Sequence, residues 1–336
     1  MHKARLKDVA QRAKVSNSTV SQYLNGRFDY MSKETQQRIK AAVEELNYTP
    51  NPTARNLKGK QTKMVGVVVR DITGFDTSKT IRGIDDYCKK FGYNAIVYNT
   101  DFDPEEEKRA LESLNDIRVD GIIIASSGKN ESLIKNYDKK GLPIVHFQLE
   151  HDGSEKRLVT SDYWRAAYDA TQYLLSLGHK QVSFVTQTYT NVLSRKARFD
   201  GYKAALEANN IEFNNGLILY WDRNRGFETS PVSLLEKENA PTAFFSQHLA
   251  ITTELLTEFN QHSVSIPEDV SLIGFDEIPM AKFFSVPVSV VKQEPYQVGQ
   301  EAAKLLLNSL KSLETESKRV RVNCTLTKRA SCAPPK

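Results

Sequence analysis

The residues best suited to recognition chemistry in this 336-residue chain are Asn17, Ser18, Ser21 and Gln22, inside the run NSTVSQYLN. Asn and Gln amides can bond an adenine edge through two atoms in a DNA major groove. Short hydroxyl residues beside them allow close approach. Residue types suited to metal or covalent chemistry are present but poorly arranged. The six histidines (His2, His146, His151, His179, His248 and His262) show no H-x-x-x-H spacing. His179 precedes a strand pattern and reads as structural; for His248, cleft lining and packing stay open. Cys88, Cys324 and Cys332 share no metal-like spacing and are expected as free thiols, Cys88 as packing in a helical pattern. No G-x-G-x-x-G, phosphate-binding-loop or G-x-S-x-G motif stands in the chain. The expectation is a binding protein with no cofactor and no metal, rather than an enzyme.

The charge distribution points the same way. The net charge is +5, but residues 1–60 alone hold twelve Lys/Arg against five Asp/Glu. The remaining chain holds 34 basic and 36 acidic residues, so the excess is wholly N-terminal. A compact basic segment on a near-neutral body is a footprint of phosphate binding, although charge alone favours a plain solvated face. No stretch is apolar enough for a secretion signal or a membrane span, which leads us to expect a cytoplasmic protein.

These residues need elements to hold them. Val9, Ala10 and Ala13 give the apolar stripe of a first helix over about 6–13, and Lys14-Val15 a short turn. Ser16 is placed to cap a second helix over 17–24, with Val20 and Leu24 facing inward. Asn25-Gly26 stops it. Ser32 can cap a third helix whose buried stripe is Ile39, Val43 and Leu46. Helices this short must pack together to persist. Pro50 and Pro52 end the third helix. Ala54, Arg55, Asn56 and Leu57 can form one further turn, closed by Gly59. A leucine among basic residues suits a wedge entering the minor groove.

Past Met64 the pattern alternates. Apolar runs at 64–69, 94–98, 121–125, 143–147, 182–186, 242–246 and 270–275 read as buried strands. Amphipathic segments near 78–91, 104–116, 164–177, 195–209, 249–260 and 295–312 read as helices. This rhythm predicts parallel sheets flanked by helices, long enough for two lobes with a cleft between them.

LKDVAQRAKVSNSTVSQYLN followed by VEELNYTPNPTARNLKGKQT resembles the DNA-binding headpiece and hinge helix of the LacI (lactose-repressor) family. Farther on, RGIDDYC, RVDGIII, YLLSLGHKQVSFV, RFDGYKAAL and IPEDVSLIGFDE stand in that family's order, so the resemblance spans essentially the whole chain. It implies an all-α helix-turn-helix headpiece (1–49), a hinge helix and linker (50–62), and an α/β two-lobed periplasmic-binding-protein-like domain with parallel sheets for effector binding and dimerisation (63–336). A later piece, near 278–308, is expected to return to the N-terminal lobe.

The resemblance also assigns residues. Asn17, Ser18 and Gln22 read bases; Thr19 and Ser21 help position the backbone. Asn25, Ala54 and Arg55 join the DNA-binding set, with Leu57 as the hinge wedge. Gln22 stands where the family often has Arg, implying a shift from guanine to adenine at one operator position. Arg198 matches an arginine that bonds ligand hydroxyls or carboxylates, and Asp276 an acid that accepts from sugar hydroxyls. Trp221 matches an aromatic that stacks on a sugar face, and Gln293 a cleft amide. Asp76, Gln148 and Gln247 complete the effector set at positions that depart from the family pattern. Gly74-Phe75-Asp76-Thr77 replaces an aromatic pair, which argues against a flat purine. Fewer cleft acids leave Arg198 less neutralised, which favours a sugar acid or phosphorylated sugar over a neutral hexose.

The implied partners are an operator in double-stranded DNA, a small-molecule effector and a second copy of the chain. The tail KRASCAPPK has no leucine heptads, so a dimer is expected. The implied function is a repressor of carbohydrate or sugar-acid catabolism genes. The effector could instead act as a corepressor, or a protein partner could take that role. A transport-linked solute-binding protein is disfavoured by the basic headpiece.

Overall fold

The computed structural model describes residues 4–29, 31–48, 61–151, 153, 155–189, 192–311 and 317–336. The chain divides into two compact units, Met1–Thr62 and Lys63–Lys336.

In the first unit, α1 (Leu6–Arg12), α2 (Asn17–Leu24) and α3 (Lys33–Glu45) pack around Val9, Ala10, Ala13, Val20, Ile39 and Ala42. Val9, Val20 and Ile39 are fully buried. Each such side chain contributes about 1.5–3 kcal/mol, which offsets the weak propensity of helices only two or three turns long. Caps do the rest. Ser16 Oγ accepts from the Thr19 amide at 3.1 Å, and Ser32 Oγ from the Thr35 amide at 3.2 Å. Lys14, in the turn between α1 and α2, takes a left-handed backbone at φ 54°.

The second unit has two sheets. The first runs β12-β5-β4-β3-β1-β2 and pairs in parallel throughout. Its strands are β1 (Met64–Val69), β2 (Asn94–Asn99), β3 (Gly121–Ile124), β4 (Ile144–Phe147), β5 (Arg157–Ser161) and β12 (Lys318–Val322). The second runs β13-β11-β10-β9-β6-β7-β8. It comprises β6 (Val182–Thr186), β7 (Ile218–Asp222), β8 (Gly226–Phe227), β9 (Ala243–Ser246), β10 (Ser271–Phe275), β11 (Ser289–Lys292) and β13 (Thr325–Thr327). Only its edge strands β13 and β8 pair antiparallel.

Helices α4 (Phe75–Lys90), α5 (Pro104–Asp116), α6 (Glu131–Lys139) and α10 (Pro295–Lys311) cover the first sheet. Helices α7 (Tyr163–Ser176), α8 (Leu193–Ala208) and α9 (Leu249–Gln261) cover the second. Helices α4 and α10 cross with backbones nearly touching: a Cβ on Gly83 would lie 2.1 Å from the Tyr296 carbonyl oxygen, and one on Gly299 2.1 Å from that of Thr80.

The chain passes between the lobes three times: at Asp162, at Gln293–Glu294 and at Asn323–Cys324. Two of these crossings are tied together, because the Asp162 amide donates to the Val322 carbonyl at 2.8 Å. The returning piece differs from the expectation of 278–308. Residues 278–292 stay with the second lobe, since β11 pairs with β10; the return begins at Pro295 and extends through β12. Charge hid β12, KRVRV, which is an edge strand exposed along most of its length. The patterns also passed over β5, where buried Arg157 is neutralised by Asp138 at 2.6 Å.

Candidate functional site

Two surfaces carry candidate chemistry, one in each unit. On α2, Asn17, Ser18, Gln22 and the C-cap residue Asn25 are exposed, while Thr19 and Ser21 are half-buried. The 3.6-residue period places Val20 in the core and leaves this polar face outward. The hydroxyls of Ser18 and Thr19 both reach Ser16 Oγ, at 2.6 and 2.8 Å, so the N-terminal turn is fixed. Asn25 donates its side-chain amide to the Ser21 carbonyl at 2.7 Å. No described partner engages the Gln22 side chain. Ala54, Arg55 and Leu57 lie outside the described residues.

The second surface is a cavity of about 910 Å³ between the two lobes of the second unit. It gathers Asp76, Gln148, Arg198, Trp221, Gln247, Asp276 and Gln293 from positions up to 217 residues apart, and all seven line it. Each comes from the carboxyl end of a strand or from a helix facing it, where such folds bind ligands.

One end is acidic and amide-bearing. Asp276, at a left-handed φ of 79°, accepts from the Gln293 side-chain amide at 2.5 Å and the Leu249 amide at 3.4 Å. Gln293 in turn accepts from Ser161 Oγ at 2.6 Å, so this chain of bonds runs from a lobe crossing into the cleft. Asp76, in the first turn of α4, faces Asp276 across the gap. Burial and then the Asp276 carboxyl push Asp76 up to about 7; the ammonium groups of Lys79 and Lys292 oppose this. Burial raises Asp276 as well, against the pull of Arg198 and Gln293. Both acids therefore hold a proton more readily than a free carboxyl does.

Arg198 stands at the middle, 7% exposed, its guanidinium 3.7 Å from the Tyr163 ring centroid and 4.5 Å from that of Phe275. It donates to the Ser194 carbonyl at 3.1 Å, and its buried Nε has no partner. Gln148, at φ 63°, presents its carbonyl to the Tyr163 hydroxyl at 3.1 Å.

Two of the expected residues are tied into the wall as well as lining the cavity. Gln247 is 1% exposed; its carbonyl accepts from Thr186 Oγ1 and the Gln187 amide, and its NH₂ donates to the Arg195 carbonyl. The Trp221 indole donates to Glu254, and its ring meets His248 edge-on at 5.6 Å.

The other end is basic, and sequence reasoning missed it. Arg70 follows β1, Arg195 lies one turn before Arg198 on α8, and Arg223 follows β7; all three line the cavity with His248. Burial first, then the like charge of Arg223, lowers Arg70 to about 10. Burial, then Arg70, Arg198 and Arg223, lowers Arg195 to about 10. His248 caps α9 and is pushed down to about 3 by burial and all four arginines, so it is neutral at pH 7. Arg70 and Arg223 directly follow strand carboxyl ends on the cleft side, a position too ordinary in sequence to mark them.

A headpiece of three short helices with a polar second helix, joined in sequence to a two-lobed α/β unit with an inter-lobe cavity, defines a DNA-binding module coupled to a ligand-binding one. Comparison with known proteins agrees. The lacI-family signature of bacterial regulatory proteins matches residues 5–51, and the periplasmic binding protein-like domain matches 171–332. A probable HTH-type transcriptional regulator, EndR, from Paenibacillus polymyxa is 32% identical over 97% of both chains. The HTH-type transcriptional repressor PurR of Aliivibrio salmonicida is 32% identical over 93% of this chain and 94% of its own. The lac repressor dimer bound to operator and the anti-inducer ONPF aligns with 99% of this chain and 100% of its own, with TM-score 0.81 at 22% identity. The chain belongs to the LacI family and is a DNA-binding transcriptional regulator.

Proposed function

We propose that this chain is a cytoplasmic homodimeric repressor whose operator affinity is changed by an acidic small molecule, without turnover of that molecule. Residues 1–49 read the operator, 50–62 form the hinge, and 63–336 bind the effector and the second copy. On α2, Asn17, Ser18 and Gln22 contact bases, Thr19, Ser21 and Asn25 fix the backbone, and Ala54, Arg55 and Leu57 engage the DNA from the hinge. The lac repressor, to which the chain is similar, was solved as an operator-bound dimer with a small ligand. Two headpieces on a dimer match a pseudopalindromic site.

The observation that carries the effector class is the cleft charge. Among the described residues, no carboxylate lies within 4.0 Å of Arg70, Arg195, Arg198 or Arg223, while several surface arginines have such a partner. Guanidiniums without close counter-ions, with Arg198 buried and Arg70 and Arg195 half-buried, favour a ligand that brings the negative charge. Asp76, Asp276, Gln148 and Gln293 take the hydroxyls, Arg198 the acid or a hydroxyl, and Trp221 a sugar face, with Gln247 bracing the wall. Ligand binding between the lobes shifts the equilibrium only by its differential affinity for the open and closed forms.

The test is selection of bound genomic fragments by the full chain. The reading requires one pseudopalindromic motif and an affinity that falls steeply with salt. Binding without sequence preference would contradict it. Selection repeated with Gln22→Arg should move one operator position from adenine toward guanine; unchanged preference removes Gln22 as a base reader.

A further inference from the structure

The basic end of the cleft is more specific than an acidic effector requires. Arg70 belongs to the first lobe, and Arg195 and Arg223 to the second. Phe102, also of the first lobe, brings two of them together: its ring centroid lies 5.1 Å from the Arg70 guanidinium and 4.3 Å from that of Arg223. The Phe102 amide donates to the Arg70 carbonyl at 3.2 Å, which fixes this ring beside Arg70. Arg70 Nε is buried with no partner. Among the described residues Arg195 uses one of its five side-chain N–H groups, which donates to the Thr188 carbonyl at 3.0 Å. Like charges therefore face each other across the opening between lobes, with donors to spare; among the described residues no carboxylate lies within 4.0 Å of them, and Glu107 and Asp71 act on Arg70 only from farther off.

Apart from Asp71, which lines the cavity beside Arg70, the acids facing one another in the cleft lie at its other end. Asp76 has Asp276, Glu277, Lys79 and Lys292 as its charged neighbours, whereas Arg195 has Arg70, Arg198 and Arg223. Arg198 is the one arginine that also acts on Asp276. The cavity thus has a hydroxyl-accepting end, a guanidinium end, and Arg198 between them. A carboxylate offers two oxygens, which one guanidinium fork satisfies. A phosphate monoester offers three terminal oxygens and about two negative charges, which suits several forks at once.

We propose that Arg70, Arg195 and Arg223 form a phosphate-binding subsite, so that the effector is a phosphorylated sugar whose phosphate bridges the two lobes and whose hydroxyls face Asp76 and Asp276. This rests on the acidic-effector reading and sharpens it. Because the arginines come from both lobes, the phosphate is also the part of the ligand that draws the lobes together.

Calorimetry on the full chain tests the assignment with glucose 6-phosphate, fructose 6-phosphate, ribose 5-phosphate, inorganic phosphate, gluconate and glucose. At least one sugar phosphate should bind tenfold or more tighter than gluconate, glucose or inorganic phosphate. Arg70→Gln and Arg223→Gln should each weaken it at least tenfold, and inorganic phosphate should raise the melting temperature of the wild type but not of the double variant. Arg223 is exposed, so its variant should keep the wild-type melting temperature and guards against a folding defect. If gluconate equals or exceeds every sugar phosphate, or both variants bind unchanged, the phosphate subsite is wrong while an acidic effector survives. If only glucose binds, both fail. If no sugar phosphate binds, the subsite is wrong.

Discussion

The headpiece and the inter-lobe cleft both present polar groups for recognition, but they obtain them in opposite ways. The α2 face draws on a nine-residue span, from Asn17 to Asn25, and displays it to solvent. The cleft draws on residues from Arg70 to Gln293 and strips them of water. An exposed amide costs nothing to hold, so the headpiece can be tuned by substitution without altering its stability. A buried guanidinium or carboxyl costs solvation until its ligand arrives, so substitutions of the buried cleft groups should change binding, stability and pH response together.

That contrast can be broken by substitution, beginning where the largest effect is expected. Arg198→Ala removes a guanidinium stacked on Tyr163 and Phe275. It should weaken effector binding at least 100-fold by calorimetry, on the order of 3 kcal/mol for a buried charged contact. A change below threefold would move the centre of binding away from it. Gln22→Ala should cost about 1–3 kcal/mol of discrimination at one base pair, measured on operator variants, with unfolding free energy unchanged within about 0.5 kcal/mol. A stability loss instead would make Gln22 part of the headpiece structure. Ser16→Ala deletes the cap of α2 and should cost the headpiece about 1 kcal/mol in chemical denaturation.

The smallest effect concerns pH. The Asp76 carboxyl is raised in the folded chain, so between about 3.8 and 7 the folded state holds a proton that the unfolded state has released. Stability from this group is therefore full below 3.8 and is lost as pH rises toward 7. Asp276, Glu277, Lys79 and Lys292 face it and shape the same window. Asp76→Asn should raise the melting temperature at pH 8 by about 2 °C and leave it nearly unchanged at pH 4. A uniform shift at both values would mean that titration of Asp76 is not responsible.

The same contrast explains what could be read in the sequence. The Ser16 cap, the Val20 and Leu24 stripe and the Asn25-Gly26 stop are local signals, and α2 begins and ends where they place it. Apolar runs such as MVGVVV and VSLIGF mark central strands because both faces are buried. Arg198, Asp276 and Gln293 were found through motifs that surround them. Arg70, Arg195 and Arg223 have no local signature, since an arginine after a strand or on a helix is ordinary until the fold brings three together. Strand β12 escaped because KRVRV alternates charge on an exposed edge, and the late return to the first lobe because pairing partners 161 residues apart leave no trace in spacing, as at Lys318 and Arg157.

The most direct measurement is the affinity of the full chain for its selected operator, by fluorescence anisotropy at fixed salt, titrated with sugar phosphates, sugar acids and neutral sugars. The account predicts at least a tenfold change in operator affinity with an anionic sugar, abolished by Arg198→Ala. An affinity indifferent to every anionic sugar, or moved only by a neutral one, would contradict it.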